Sequence, residues 1–465
     1  MEEKTKVEIN DLRSALEVIK SMPQQYHESN LEIDPKDDLA GVYRYIGAGG
    51  TVIRPTQVGP AMLFTNLKGY PGSRVLVGLI ASRERVAAML GAPVRELGKH
   101  MGQAVKNTVE PVFVDKSKAI CQEVVYKASD EGFDIRKILP APTNTPQDAG
   151  PYFCEGLVLG SDPDNGHTDV TIHRLCIQGK DEISIFFALG RHIDMFRQKA
   201  EKAGKPFPIT INMGLDPAIY ISACFEAPTT PLGYDELKIA GGLRGKGVEL
   251  VDAVTVNQKA IARAEIVIEG EILPNVRVAE DQNTKTGYAM PEFPGYEGTA
   301  NPSLPLIKVK AITMRKNPIL QTLVGPGEEH VNLAGIPTEA SIFNTVEAAM
   351  PGFLQNVYAH PSGGGKFLSI LQVKKRTEAD QGRERQAALM AFGIYSELKQ
   401  VILVDEDVDI FDTNDVLWAM TTRYQGEVST VFIPGVRCHQ LDPSQDPAYD
   451  PKILAHGIST KTIFD

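Results

Sequence analysis

The sequence predicts a multidomain protein that joins α/β and α+β parts, divided over 1–110, 111–325 and 326–465. Three observations carry that expectation. At ~150 residues per domain, a chain of 465 residues makes about three domains, each able to bury a core. Its middle third is a succession of short β-rich segments, the pattern of a sheet-rich barrel or sandwich. Its last third alternates strand and helix candidates in the order βαβα, as a doubly wound α/β domain does.

At the N-terminus, Asn10 or Asp11 can cap a helix in which Leu12, Ala15, Leu16 and Ile19 recur at i, i+3, i+4 and i+7 before Pro23 stops it. Apolar runs at 61–67 and 74–80 follow, and the second leads into a helix that Ser82 caps and Gly91 ends. These make an N-terminal α/β domain. The central strand candidates are 169–177, 183–187, 209–213, 248–256, 264–272, 306–314 and 319–324. Helices interrupt them after His192 and at Asp216-Pro217, an N-cap followed by an N1 proline. In the last third Pro337 opens a helix to Met350, strands are expected at 367–373, 401–404 and 428–433, and helices near 380–398 and 413–424. The final KTIFD carries no capping or tail signal.

Composition excludes several functions. Lys and Arg number 48 against 59 Asp and Glu, a net charge of −11 that offers polyanions and acidic membrane surfaces no broad attraction. Nucleic-acid and membrane partners are therefore not expected. Apolar runs fall short of the ~20 residues of a membrane helix, and MEEKTKVEIN lacks a signal peptide's apolar stretch, so a cytoplasmic protein is expected. Five cysteines (Cys121, Cys154, Cys176, Cys224, Cys438) without a C-x-x-C fit neither a disulfide framework nor a zinc cluster, and most of them read as buried, reduced thiols. Gly47-Ala48-Gly49-Gly50 has Val52 where a dinucleotide loop needs glycine, and reads as a turn. Gly363-Gly364-Gly365-Lys366 is flanked by His360 and Phe367 where a Walker loop needs glycine and Ser or Thr, so it holds no nucleoside triphosphate.

Ionisable residues then stand where a core would take apolar ones. They are Asp169-Val170-Thr171-Ile172-His173-Arg174, Arg191-His192, Glu236, Pro291-Glu292-Phe293-Pro294-Gly295-Tyr296-Glu297, Glu328-Glu329-His330 and Arg437-Cys438-His439. Each also has a plain reading: an edge strand, a cap, an exposed helix face, an exposed turn, and surface histidines in loops. Asp169, His192 and Glu236 supply oxygen and nitrogen donors that could hold Mn²⁺ or Mg²⁺ with positions open to phosphate oxygens. Prolines and aromatics around Glu292 can desolvate its carboxyl and raise its pKa, as a general acid requires. Asp169 and Arg174, five apart, point to opposite faces of an ideal strand, so they need a bulge or bend, or serve two sides of one site.

Almost the whole chain, through GVYRYIGAGGT, TDVTIHRLCIQ, GRHIDMFR, INMGLDPAIYISACFEAPTTPLGYDEL, AMPEFPGYEG, VGPGEEH, ILVDEDVDIFD and GVRCHQLDPSQ, resembles the UbiD family of reversible decarboxylases that use prenylated FMN (prFMN). Within it the resemblance is to the branch acting on protocatechuate (3,4-dihydroxybenzoate), gallate and 4-hydroxybenzoate. It implies a central split β-barrel flavin-binding domain, a C-terminal domain used for oligomerisation and a homo-oligomer, dimer or hexamer. Family members typically continue past KTIFD with a segment rich in aromatics and prolines. Carried over, the metal ligands fall on Asp169, His192 and Glu236, for Mn²⁺ or Mg²⁺ with K⁺ as a further ion. Asp169 departs from the asparagine commonest there and adds negative charge beside a phosphate. The Glu-Arg-Glu network falls on Arg174, Glu292 and, by spacing, Glu297. His330 and His439 match a phenol-binding arrangement, and Thr171, Ile172, His173, Arg191, Lys366 and Lys374 match cofactor contacts. The implied reaction releases CO₂ from a phenolic acid, with the cofactor supplied by a UbiX-type flavin prenyltransferase. A decarboxylase of a non-phenolic (hetero)aromatic acid, a non-catalytic scaffold subunit and a flavin-free metal hydrolase are the alternatives.

Overall fold

Six strands of the middle third close on themselves: β1 (Tyr152–Ser161), β2 (Thr168–Ile177), β3 (Glu182–Ile185), β4 (Phe207–Met213), β5 (Ile266–Val278) and β6 (Leu304–Met314). Their order is β5-β4-β1-β2-β3-β6, and β6 pairs back onto β5, every neighbour antiparallel. Closure pairs each of the six on both sides, and a seventh strand, Val124–Lys127, adds to the end of β6. Leu175, Ile177, Ile183, Ile185, Ile209, Ile211, Ile266, Ile268, Ile307 and Val309 join one apolar core, and Ile193, Phe196 and Ala200 of the helix His192–Lys202 pack into it. Strand β1 escapes the sequence reading because Glu155, Gly156 and Gly160 break its apolar pattern. Gly156 is there for close approach: a Cβ would lie 2.4 Å from Leu175 Cδ1.

The structure, a computed structural model, describes residues 8–36, 38–188, 190–445 and 457–465. The first residues of the charged start, Met1 to Val7, lie outside them. The chain forms two units, one of residues 1–91, 107–224 and 232–329, the other of 92–106, 225–231 and 330–465. In the first, Leu12–Lys20 is a helix with Asp11 at its N-cap in a reciprocal bond with Ser14, and it buries the expected stripe Leu12, Ala15, Leu16 and Ile19. Arg83–Leu90 runs from the Ser82 cap to Gly91, also as expected. A four-stranded sheet orders Tyr26–Ser29, Ala61–Phe64, Arg74–Val77 and Ile319–Gln321. The run at 319–324, assigned above to the central part, thus joins the N-terminal sheet, parallel to Arg74–Val77. Glu249–Asp252 likewise lies outside the barrel, in a small sheet with Val112–Phe113 and Lys259–Ile261.

The second unit holds a five-stranded sheet ordered Leu354–Ala359, Leu368–Val373, Gln400–Asp405, Ile458–Phe464, Thr430–Arg437, parallel at its centre and antiparallel at both edges. Helices Arg383–Ile394 and Thr413–Arg423 match expectation. One reading is corrected and one element is added. The helix expected to open at Pro337 begins at Glu328 and carries the proline inside, so Glu328-Glu329-His330 form its first turn and not a loop. The run ending in KTIFD is a strand, disguised because Lys461 sits buried in it, donating to the carbonyls of Ser396 and Leu398. The multidomain α/β and α+β class, with its central barrel, is as the sequence predicts. All five cysteines are free thiols, and among the described residues no helix is long and apolar enough to cross a membrane.

Candidate active site

Arg174 lies on β2, between β1 and β3, so the edge-strand reading of its segment fails. Opposite it β1 bulges: Phe153 pairs with Leu175 and the next partner pair is Gly156 with His173, leaving Cys154 and Glu155 against the arginine. The guanidinium grips Glu280 through Nε and Nη2, each at 2.9 Å, and donates from Nη1 to Glu292. The Phe186 ring, 4.2 Å away, stacks on it. Glu280 also accepts from Tyr152 Oη at 3.1 Å and from the Asn301 N–H at 3.0 Å. Burial raises the Glu292 pKa; the Arg174 charge opposes this and the Glu280 charge adds to it. Burial works against the Arg174 charge, yet Glu292 and Glu280 outweigh it and hold the guanidinium firmly protonated. A largely desolvated carboxyl with raised proton affinity on a fixed arginine can act as a general acid.

Glu297 is not part of this network. Glu292 and Glu297 belong to the hairpin Tyr288–Glu292 and Tyr296–Thr299, where Glu292 faces Tyr296 and Pro291 faces Glu297. Adjacent positions alternate faces, so the two glutamates leave opposite sides. Burial raises the Glu297 pKa against the pull of Arg44 and a bond to Thr145, and Asp148, pushed up to about 6 mainly by burial, shares that neighbourhood. Glu280, which sequence reasoning missed, occupies the second carboxylate place at Arg174. It sits just past β5 in the acid-rich run Ala279-Glu280-Asp281-Gln282-Asn283, which reads as a solvated turn.

Asp169, second residue of β2, is buried, accepting from Thr171 Oγ1 at 3.0 Å, with His192 Nδ1 3.5 Å from its Oδ1. His192 is the first residue of its helix and Arg191 the N-cap, so N–H groups and the positive end of the helix dipole collect beside an arginine. Glu236, buried, precedes the helix Leu237–Arg244. Asp169 and His192 come together, but among the described residues no three His, Cys, Asp or Glu side chains are drawn into one metal-binding group. The donors, two carboxylates and an imidazole, remain the set a hard divalent cation takes. His173, pushed down to about 3 by burial and by Arg191, is a neutral ring set edge-on to Phe187 at 4.8 Å, and Ile172 alternates with it. No bend carries Asp169 to Arg174, since the irregularity is in β1. They lie ~17 Å apart along the strand, on opposite faces.

The second unit has a cluster of its own. Lys366 Nζ donates to Glu397 Oε2 at 2.5 Å and Tyr395 Oη at 3.3 Å, with Glu226 at 3.9 Å. His439 Nε2 is 3.6 Å from the same Glu397 oxygen, and its Nδ1 accepts from the Leu441 N–H at 3.0 Å, which leaves the ring proton on Nε2. His330 is pushed down to about 3 by burial, then by Lys366 and His439, so its ring stays uncharged. His330, Lys366 and His439 are thus brought together, with Glu397 and Tyr395 as partners the sequence did not disclose. The glycines before Lys366 serve packing, not phosphate: a Cβ at Gly365 would lie 2.4 Å from the Val331 carbonyl oxygen. Lys374 is elsewhere, paired with Glu406 at the surface.

Comparison with known proteins fits this arrangement. Family models match as 3-octaprenyl-4-hydroxybenzoate carboxy-lyase N-terminal domain over residues 22–105, Rift-related domain over 112–328 and C-terminal domain over 331–465. Gallate decarboxylase of Lactiplantibacillus plantarum is 58% identical over 457 residues, 98% of this chain and 93% of its own. The apo structure of a 3,4-dihydroxybenzoic acid decarboxylase from Enterobacter cloacae superposes with TM-score 0.93 at 67% identity, covering 98% of this chain and 94% of that one. An evolved dimeric form of the UbiD-class enzyme HmfF from Pelotomaculum thermopropionicum, in complex with prFMN, superposes with TM-score 0.84 at 32% identity, covering 98% and 94%.

Proposed function

The chain belongs to the UbiD family of carboxy-lyases, and from that premise we propose that it is a prFMN-dependent, reversible, non-oxidative decarboxylase of hydroxylated aromatic acids, 3,4-dihydroxybenzoate first and gallate or 4-hydroxybenzoate next. The observation that carries the reading is Glu292, a largely enclosed acid, its side chain 12% exposed, of raised proton affinity and held by Arg174 inside the barrel unit. Losing CO₂ from an aromatic ring needs an electron sink that side chains lack, and prFMN supplies it when bound.

The side chains account for the rest. Glu292 delivers the proton that replaces CO₂ on the ring carbon. Arg174 has five N–H donors, of which its two glutamates take three, and the remaining two receive the substrate carboxylate. In the second unit, His439, with its proton on Nε2, and the neutral His330 are groups able to hydrogen-bond a phenol, with Lys366 beside them. Asp169, His192 and Glu236 would hold Mn²⁺ or Mg²⁺ against the cofactor phosphate, with Arg191, Thr171, Ile172 and His173 along the cofactor. A UbiX-type prenyltransferase as cofactor supplier, a cytoplasmic location and a homo-oligomer formed through 326–465 complete the reading, and the three separate family models support the division near 110 and 325.

The test is protein co-produced with a UbiX-type prenyltransferase and assayed for CO₂ release on the three hydroxybenzoates and on non-phenolic (hetero)aromatic acids. A modified-flavin absorbance and turnover of 3,4-dihydroxybenzoate are expected. Colourless protein that leaves every phenolic acid intact defeats the proposal, and release from non-phenolic acids alone shifts it to that class. His192→Ala is expected to lose metal by elemental analysis and modified flavin by absorbance. A full complement of both removes His192 from the phosphate site.

A further inference from the structure

One buried carboxyl group of the barrel has no part in the proposed reaction. Glu155, in the bulge of β1, is 0% exposed, and neither of its oxygens has a hydrogen-bond partner. The amide of Gln321, 1% exposed, acts on that carboxyl group and is itself without a partner at both Oε1 and Nε2. Tyr43 Oη, also buried, is a further oxygen without one. A second carboxylate, Glu329, is held differently: Oε2 accepts from the Gly78 N–H at 2.8 Å and Oε1 from the Ile80 N–H at 3.0 Å. The turn at 78–80 draws these groups together. Gln321 pairs in register with Leu76, two residues before Gly78, and a Cβ at Gly78 would lie 2.6 Å from Tyr43 Oη.

Buried polar atoms are satisfied, and buried charges are paired or hold a metal ion. The charges here are Glu155, Glu329 and the fully buried Arg85, whose guanidinium is spent on the carbonyls of Gly59, Gly78 and Leu79 and on Gln25. They sum to −1. Arg174, across the bulge, is taken by Glu280 and Glu292, and Glu328 has its own cation in Arg83. Tyr43 and Tyr220 stay uncharged, raised chiefly by burial with both carboxylates adding. A water molecule would satisfy the oxygens and leave the charge, and a divalent ion would reverse it; one monovalent ion answers both. We propose that Glu155 and the Gln321 carbonyl oxygen, with Glu329 and Tyr43 beside them, form a buried site for a single alkali cation, Na⁺ or K⁺. All its donors are oxygen, the set that hard cations take. It is not the site at His192, since Asp169 pairs with Gly160, five residues or ~17 Å along β1 from Glu155. The ion ties the barrel strand β1 to the strand Ile319–Gln321 of the N-terminal sheet.

The test uses the full chain without cofactor or substrate, with EDTA present to hold divalent ions away. Thermal unfolding midpoints are measured at pH 7 and equal ionic strength in sodium, potassium and tetramethylammonium chloride, the last too bulky to be ligated. A rise of about 2–5 °C over tetramethylammonium, saturating with concentration, is expected in Na⁺ or K⁺. Glu155→Gln keeps the shape and removes the charge; it is expected to lose the response, whereas Glu236→Gln keeps it. Crystals grown in Rb⁺ or Tl⁺ are expected to show an anomalous peak at Glu155 and Gln321. Equal midpoints in all three salts, or a response that survives in Glu155→Gln, overturn the proposal. Should Glu155→Gln fail to fold, wild-type crystals without that peak overturn it instead. The rival is one proton: burial and the Glu329 charge raise the Glu155 pKa, and a carboxyl raised on folding loses stability as pH climbs towards its folded value. A midpoint that falls from pH 7 to pH 9 in tetramethylammonium, and that alkali ions do not restore, assigns the place to that proton and overturns the cation.

Discussion

The barrel unit and the C-terminal unit each bury one cation between two carboxylates, Arg174 with Glu280 and Glu292, Lys366 with Glu397 and Glu226. They differ in the cation's shape and in what else is present. Arginine's planar fork fixes each carboxylate by direction, and among the described residues no imidazole is bonded to it. Lysine's ammonium is a point charge approachable from several sides, and two histidines share its carboxylate side. One arrangement stores a proton at a defined place. The other holds two uncharged rings beside a lysine, and on the proposed function it is the half that would meet a phenol.

The largest expected effect breaks the proton-storing half. Glu292→Gln keeps the shape and the Arg174 contact but has no proton to give, so kcat should fall by about 10²–10⁴-fold with bound modified flavin retained. Absorbance and CO₂ release on one preparation check both. Wild-type release by that variant would remove Glu292 from the chemistry and erase the contrast. On the other half, Lys366→Met should act on recognition: kcat/KM for hydroxylated acids falls about 10–100-fold, mainly through KM. A pure kcat loss would mean that this cluster too moves protons.

Acid sensitivity sharpens the comparison further. His173 in the barrel unit and His330 in the other are both held near 3, well under an unfolded histidine's ~6.5. A base whose folded pKa is depressed is bound uncharged above ~6.5 and gives up stability as pH falls from there towards its folded value. Each should therefore cost about 2 kcal/mol between pH 7 and pH 5. His330→Gln is expected to narrow the gap between unfolding midpoints at those two pH values, and an unchanged gap would mean that His330 is not buried as a neutral ring.

What was legible followed from where chemistry disturbs pattern. Arg174, Glu292, Asp169 and His192 stand out because β-branched, aromatic or proline neighbours surround an ionisable group. Glu280 does not, because its neighbours are polar and it resembles any solvated turn; only the unmet valence of a buried arginine calls for it. Glu297 was reached by spacing, and antiparallel alternation sends it to the other face. The strand Ile458–Phe464 was hidden by a lysine whose charge is absorbed by backbone carbonyls, and the helix from Glu328 by a proline that looked like a beginning. Long-range pairing decides each of these.

The smallest expected effect is Lys374→Ala. Lys374 and Lys366 sit eight positions apart around the strand Leu368–Val373, and in sequence both looked able to hold a cofactor. Lys366 is 10% exposed at its side chain and pairs with a carboxylate 15% exposed, whereas Lys374 is 40% exposed and its partner Glu406 51%. Water screens the second pair, and long side chains pay entropy to hold it, so such pairs add little. Lys374→Ala should leave flavin content, kcat and KM within about twofold of wild type. If it instead lost cofactor as Lys366→Met lost substrate, exposure would be a poor guide to function in this sheet, and the division between buried cations that work and surface cations that solvate would have to be drawn elsewhere.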